Sequence, residues 1–207
     1  MDTRPGKAYP LGATFDGTGT NFAIYSSVAT SVTLCLLDEE LNEMRIPMTE
    51  VDAWVWHVYV PQVRAGQRYG YRIDGPWDPQ NGLRCDPSKL LLDPYAKAIE
   101  GQLTDSMDLL SYQADDPLSL KGGDSAKATM HSIVVNPFFD WEGDHRPGHD
   151  YSETIIYEAH VKGMTMRHPD VPEELRGTYA GMAHPAIIEH LQKLGITAVE
   201  LMPIQQF

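Results

Sequence analysis

TIIYEAHVKG (residues 154–163) and GITAVELMPIQQF (residues 195–207) are two mostly apolar runs, with HPAIIEHLQKLG (residues 184–195) between them. The middle segment has a helical pattern. Ile187, Ile188, Leu191 and Leu194 recur at helical spacing and form one apolar stripe. Pro185 suits the first helical turn, where its missing N–H costs nothing. Gly195 can take the left-handed position that ends a helix. Strand, helix, strand with near-continuous apolar strands predicts a parallel βαβ unit, buried on both faces. The connection over 163–183 is far longer than the usual about 2–6 residues between a strand and its helix. In a (β/α) barrel such loops build the active site, so its length points to function.

The N-terminal half has a different period. Residues 20–27 (TNFAIYSS) follow the turn-rich DGTG of 16–19. Over 31–37, Val32, Leu34 and Leu36 point one way, Thr33 and Cys35 the other. Over 54–60, Trp54, Trp56, Val58 and Val60 share one face, His57 and Tyr59 the other. Residues 67–74 place Tyr69, Tyr71 and Ile73 together. Period-2 runs between turn signals predict an antiparallel β-sandwich of the immunoglobulin-like kind. Residues 75–150 are rich in Pro, Gly and Asp but too aromatic and aliphatic for disorder, so ordered loops with short strands are expected. The expected division is 1–150 for the sandwich with its loops and 151–207 for the βαβ unit.

The chain has 207 residues and a net charge of −13. That charge disfavours nucleic acid, which needs clustered Lys and Arg, and disfavours an anionic membrane surface. A neutral ligand such as a sugar suits either sign. Two cysteines, Cys35 and Cys85, are too few for a disulfide framework and match no metal motif. Two free thiols, no signal-peptide core at the N-terminus and no run of about 20 apolar residues lead to a cytoplasmic expectation.

Three blocks carry a family resemblance. YPLGATFDGTGTNFAIYSSVATSVTLCLLD (residues 9–38) resembles a family-48 carbohydrate-binding module. YGYRIDGPWDPQNGLRCDPSKLLLDPYAKAI (residues 69–99) resembles the next segment of isoamylase-type glycogen debranching enzymes. Residues 155–207 look like the start of a glycoside hydrolase family 13 barrel, with ELMPI (residues 200–204) similar to its second-strand motif. The chain departs from the family at Cys85-Asp86, where Phe-Asn is usual, and over 140–152. The resemblance implies the first βαβ unit of a TIM (β/α)8 barrel, and hydrolysis of α-1,6 branches in glycogen and limit dextrin with retention. It also implies that the nucleophile, acid/base and stabilising carboxylates lie on the fourth, fifth and seventh barrel strands. No residue of this chain is therefore expected to be catalytic, and the chain alone is expected to be inactive. No metal or other cofactor is expected, and the expected partner is an α-glucan.

Several residues have two readings. Retaining hydrolysis needs two carboxyl groups about 5–5.5 Å apart. Glu158 and Glu200, with His160, could form such a pair or a hydrogen-bonded structural network; their mid-strand positions favour the network. Trp54, Trp56 and Trp77 are candidate substrate-binding residues, since a flat ring can cover the C–H face of a sugar. For Trp54, Trp56, Tyr69 and Tyr71 alternation also fits core packing, while Trp77 sits in a Gly-Pro-Trp-Asp-Pro loop. Asp144, His145, His149 and Asp150 share a loop without metal-ligand spacing. DGTGTN (residues 16–21) lacks the GK[ST] of a phosphate loop and reads as a hairpin turn.

Overall fold

The computed structural model describes residues 2–204, and the chain divides into two units, Met1–Phe139 and Asp140–Phe207. The first unit contains β1 (Gly12–Phe15), β2 (Gly19–Tyr25), β3 (Ser31–Leu37), β4 (Glu43–Met48), β5 (Glu50–Asp52), β6 (Val55–Pro61), β7 (Arg68–Asp74), β8 (Trp77–Asp78), β9 (Leu83–Arg84), β10 (Ile99–Glu100) and β11 (His131–Ile133). Two antiparallel sheets form, in the orders β1-β2-β6-β5 and β10-β11-β7-β3-β4, and β8 pairs with β9. The period-2 pattern predicted over 31–37 is seen in β3. Val32, Leu34 and Leu36 enter the core between the sheets, while Cys35 and Leu37 join a smaller cluster with Leu90 and Ala126 on the outer side.

The main core joins Phe22, Ile24, Val58 and Val60 of one sheet to Val32, Leu34, Tyr69 and Tyr71 of the other. The architecture is thus a β-sandwich. Tyr69 meets Phe22 edge-on at 5.0 Å between centroids and Tyr71 at 5.9 Å; such pairs add about 0.5–1.5 kcal/mol beyond area burial. The Tyr69 hydroxyl donates to Asp93 Oδ2 at 2.8 Å. Burial holds the Asp93 carboxyl above its ordinary range and pushes the Tyr69 phenol up.

The segment over 75–130 is ordered by buried cations. The Lys89 ammonium, pushed down by burial, donates to the backbone carbonyls of Asp108, Gly122 and Gly123 at 2.8, 2.9 and 2.6 Å. Arg72 grips Glu43 through two nitrogens, and donates to Asp124 Oδ1 at 2.6 Å and to the carbonyls of Pro87 and Ser88. Leu91 exchanges backbone bonds with Tyr71 at 2.8 and 2.9 Å. Gly70 permits that approach, because a Cβ there would stand 2.9 Å from both Leu90 Cδ1 and the Leu91 carbonyl oxygen.

The second unit contains β12 (Ile156–Ala159), α1 (Val161–Thr165), α2 (Tyr179–Met182), α3 (Pro185–Lys193) and β13 (Ala198–Leu201). Strands β12 and β13 pair in parallel, as the βαβ pattern predicts. Helix α3 starts on the His184 cap with Pro185 in its first turn, and Gly195 beyond it has φ 74°. Burial differs from expectation. Ile187 is fully buried, but Ile188 is 43% and Leu194 51% exposed, and most of β12 and β13 is open. A two-stranded sheet offers too little surface to cover a whole helical stripe. The connection over 163–183 also holds α2 and a 3-10 turn, Glu173–Leu175. The last residues of the second apolar run, 205–207, lie outside the described residues.

The cation clamps generate two predictions. Burial alone would raise the Glu43 carboxyl, yet Arg72 and Arg45 hold it below its ordinary range. Glu43→Gln removes one of the two carboxylates that pair Arg72, leaving the guanidinium with Asp124 and two backbone carbonyls, and is expected to cost about 1.5–3 kcal/mol at pH 7 in urea unfolding. A depressed carboxyl contributes stability above its unfolded pKa and loses it as pH falls through the folded value. The gap between wild type and variant should therefore narrow below about pH 4; a gap of constant size would contradict the assignment. Lys89→Met is expected to speed amide exchange over 106–124 more than in β3 or β7, and a uniform increase would show that Lys89 is no local clamp.

Candidate functional site

One end of the sandwich gathers the loop over 26–30, the β5–β6 turn and the exit from β7. Ser26 N–H donates to the Trp54 carbonyl at 2.9 Å and Thr30 N–H to the Asp74 carbonyl at 2.9 Å. Alternation predicts Trp54 within a strand, but β6 begins at Val55 and Trp54 lies in the turn. Ala53 and Trp54 have φ of 49° and 65°. Both central residues of this hairpin turn are left-handed, a geometry normally given to Asn-Gly. Each non-glycine residue there costs roughly 1–2 kcal/mol. Trp54 is 62% exposed and takes no place in the core. Tyr25 and Val28 are exposed beside it, Tyr25 paired in register with Val55. Tyr25 had a signal in the sequence: an aromatic closing a strand on its outward face.

Trp56 points the other way. It packs against the core beside Val58 and Val60, and its Nε1 donates to the Ser26 carbonyl at 3.4 Å. Trp77 lies in the short strand β8, three residues beyond β7. Its Nε1 donates to the Leu118 carbonyl at 2.8 Å. Its register partner Arg84 places the guanidinium 5.9 Å from the Trp77 ring centroid and 5.4 Å from that of Tyr112. Trp77 is thus held in a fixed plane, half-buried, with a cation against it.

In the second unit, Glu158 and Glu200 are register partners across β12 and β13, and both are exposed. His160 does not join them. Its Nδ1 accepts from the N–H groups of Lys162 and Gly163 at 3.1 and 3.3 Å and caps α1. A cavity of about 360 Å³ opens at the C-terminal ends of the two strands, lined by His160, Lys162, Thr178, Tyr179, Met202 and Pro203 among others. The long connection thus reaches the end of a parallel sheet where barrel enzymes place their sites.

DGTGTN is a hairpin turn: the Asp16 carboxylate accepts from Thr18 and Gly19 N–H at 2.9 and 3.0 Å. Asp144, His145, His149 and Asp150 lie on an exposed loop, and among the described residues no three His, Cys, Asp or Glu side chains gather as metal ligands. Cys35 and Cys85 are unbridged; burial, with the Glu43 charge nearby, pushes the Cys35 thiol up to about 12. Among the described residues no helix is long and apolar enough to cross a membrane.

Comparison with known proteins adds to this geometry. Residues 10–96 match carbohydrate-binding module 48 (isoamylase N-terminal domain). The chain is 59% identical over 206 residues to the glycogen operon protein GlgX homolog of Mycobacterium bovis, covering 98% of this chain and 29% of that protein. It is 49% identical over 207 residues to the glycogen debranching enzyme of Yersinia enterocolitica, covering 97% and 30%. The chain therefore spans under a third of the length of these relatives. In fold it resembles the pullulanase from Bacillus acidopullulyticus, with a TM-score of 0.64 and 22% identity over 96% of this chain and 22% of that one. It also resembles the Klebsiella pneumoniae pullulanase, with a TM-score of 0.67 and 21% identity over 95% and 18%. Residues 10–96 are thus similar to carbohydrate-binding module 48, the isoamylase N-terminal domain, and almost the whole chain is similar to part of proteins named glycogen debranching enzyme, of which it spans about 30%.

Proposed function

We propose that the chain serves a debranching hydrolase that cleaves α-1,6-glucosidic linkages of glycogen and limit dextrin with retention. One observation carries the reading: similarity to proteins named glycogen debranching enzyme runs through both units, not the module alone. In this reading β12, α3 and β13 open a (β/α)8 barrel, and the cavity at their C-terminal ends borders the substrate cleft. The two unbridged cysteines support a cytoplasmic setting. The chain's own residues do not supply the reaction. Glu158 and Glu200 stand within their strands, and His160 is committed to capping. The 207-residue chain is expected to release no reducing sugar from limit dextrin above a buffer control; release would overturn this.

A second reading is a non-catalytic α-glucan-binding role for the sandwich. The exposed Trp54 in a strained turn, with Tyr25 and Val28 beside it, favours it. Backbone strain under a largely exposed aromatic motivates a role in contact with a ligand. Affinity electrophoresis in glycogen gels tests it. Trp54→Ala is expected to weaken retardation about threefold to tenfold, the scale of one aromatic contact, and Trp77→Ala likewise. Trp54→Gly should weaken it equally while leaving the unfolding free energy unchanged or up to ~1 kcal/mol higher, because glycine relieves the left-handed strain. Retardation unaffected by all three variants would assign these rings no role in binding.

A further inference from the structure

We propose that Asn81-Gly82 is a modification site, where the asparagine converts spontaneously to aspartate and isoaspartate and so loosens the β8–β9 hairpin. The hairpin is WDPQNGLR (residues 77–84). Its strands hold two register pairs, Trp77 with Arg84 and Asp78 with Leu83, around the 3-10 turn Pro79–Asn81. Two bonds close that turn. The Asn81 carboxamide Nδ2 donates to Asp78 Oδ2 at 2.7 Å, and Gly82 N–H donates to the Pro79 carbonyl at 3.2 Å. Asn81 and Gly82 are both exposed, and a Cβ at Gly82 would meet nothing within 4 Å.

The chemistry needs the next residue's backbone nitrogen to reach the side-chain carbonyl carbon. With its proton given to solvent, the Gly82 nitrogen attacks Asn81 Cγ. The N–Cγ bond forms, the Cγ–Nδ2 bond breaks, and ammonia leaves with a proton from solvent. Water then opens the succinimide at either carbonyl, giving aspartate or isoaspartate. Glycine at 82 brings no Cβ to obstruct the ring. The other asparagines each lack a condition. Asn21 is buried, its carboxamide bonded twice to the Lys7 backbone. Asn42 precedes Glu43, whose side chain crowds the ring and is held by Arg72. Asn136 precedes Pro137, which has no N–H. At Asn81 the bonds to Asp78 and Pro79 must open before the ring closes, so local opening of the turn sets the rate.

Both products remove the carboxamide donor. Aspartate sets a second carboxylate beside that of Asp78, a like charge where a hydrogen bond stood. Isoaspartate adds a carbon to the main chain and shifts the pairing of Trp77 with Arg84. Trp77 then keeps its bond to the Leu118 carbonyl but loses the Arg84 guanidinium that lies 5.9 Å from its ring centroid.

Neither step depends on a bound glucan. The test is to age the 207-residue chain at mildly alkaline pH. Each asparagine is followed by peptide mass spectrometry with fragmentation, and the Trp77 indole N–H by NMR. Asn81 is expected to yield aspartate and isoaspartate severalfold faster than Asn21 or Asn42. The Trp77 indole signal should move to a second position in the same proportion. Asp78→Ala, which frees the carboxamide, should speed the conversion severalfold. Asn81→Gln, whose extra methylene makes the ring larger and its closure slow, should suppress conversion and keep the Trp77 signal single on ageing. Conversion at Asn81 no faster than at Asn42, or no faster in Asp78→Ala than in wild type, overturns the proposal. So does a Trp77 signal that stays single as Asn81 converts, or one that splits equally in the aged Asn81→Gln chain.

Discussion

Arg72 and Lys89 lie buried on the outer side of the β10-β11-β7-β3-β4 sheet, each with about 4% of its side chain exposed. A buried charge must find partners or it unfolds its surroundings. Arg72 takes a carboxylate from β4 and two backbone carbonyls from the segment after β9; Lys89 takes three carbonyls from the segment after β10. These bonds fix a long stretch that has few regular elements of its own. They also decide which surfaces stay open. One sheet is partly covered by residues 86–126 of its own chain, and the N-terminal segment lies against the other. The polar clamps stand where a larger apolar core would otherwise be needed.

How much of this was legible in the sequence depended on the range of each interaction. The alternation of β3 and β7 could be read because a strand between a core and a cover shows its two faces in neighbouring residues. The cap, first turn and end of α3 could be read because each is a contact within four residues. The Ala53-Trp54 turn could not. Its geometry asks for Asn or Gly, and neither residue gives a turn signal. The route of residues 75–130 was equally hidden, because it is set by side chains reaching carbonyls 19 to 34 positions away. The cavity beside the N-terminal segment draws on residues 7, 9, 14, 16, 21 and 59 among others, and no local pattern joins them.

The parallel unit shows the same limit. Periodicity identified an apolar stripe on α3 and apolar strands beside it. Burial is a property of neighbours, however, and of that stripe only Ile187 is fully buried. Glu158 and Glu200 illustrate the point from the polar side. Sequence placed them opposite one another, and the register agrees, but whether such a pair faces water or a closed interior is decided by what surrounds the sheet.

The pairing of Tyr69 with Ser132 carries a consequence for biosynthesis. A chain made from its N-terminus completes β7 long before β11 exists, so one edge of the growing sheet waits unpaired. Unpaired edges invite association with other nascent chains. Leu91 shortens that wait. It bridges to Tyr71 as soon as the residues just past β9 emerge, occupying part of the edge until residues 131–133 arrive. The glycine at 70 that admits Leu90 and Leu91 so closely thus acts on the ribosome as well as in the finished sandwich, by letting the chain shield its own open strand.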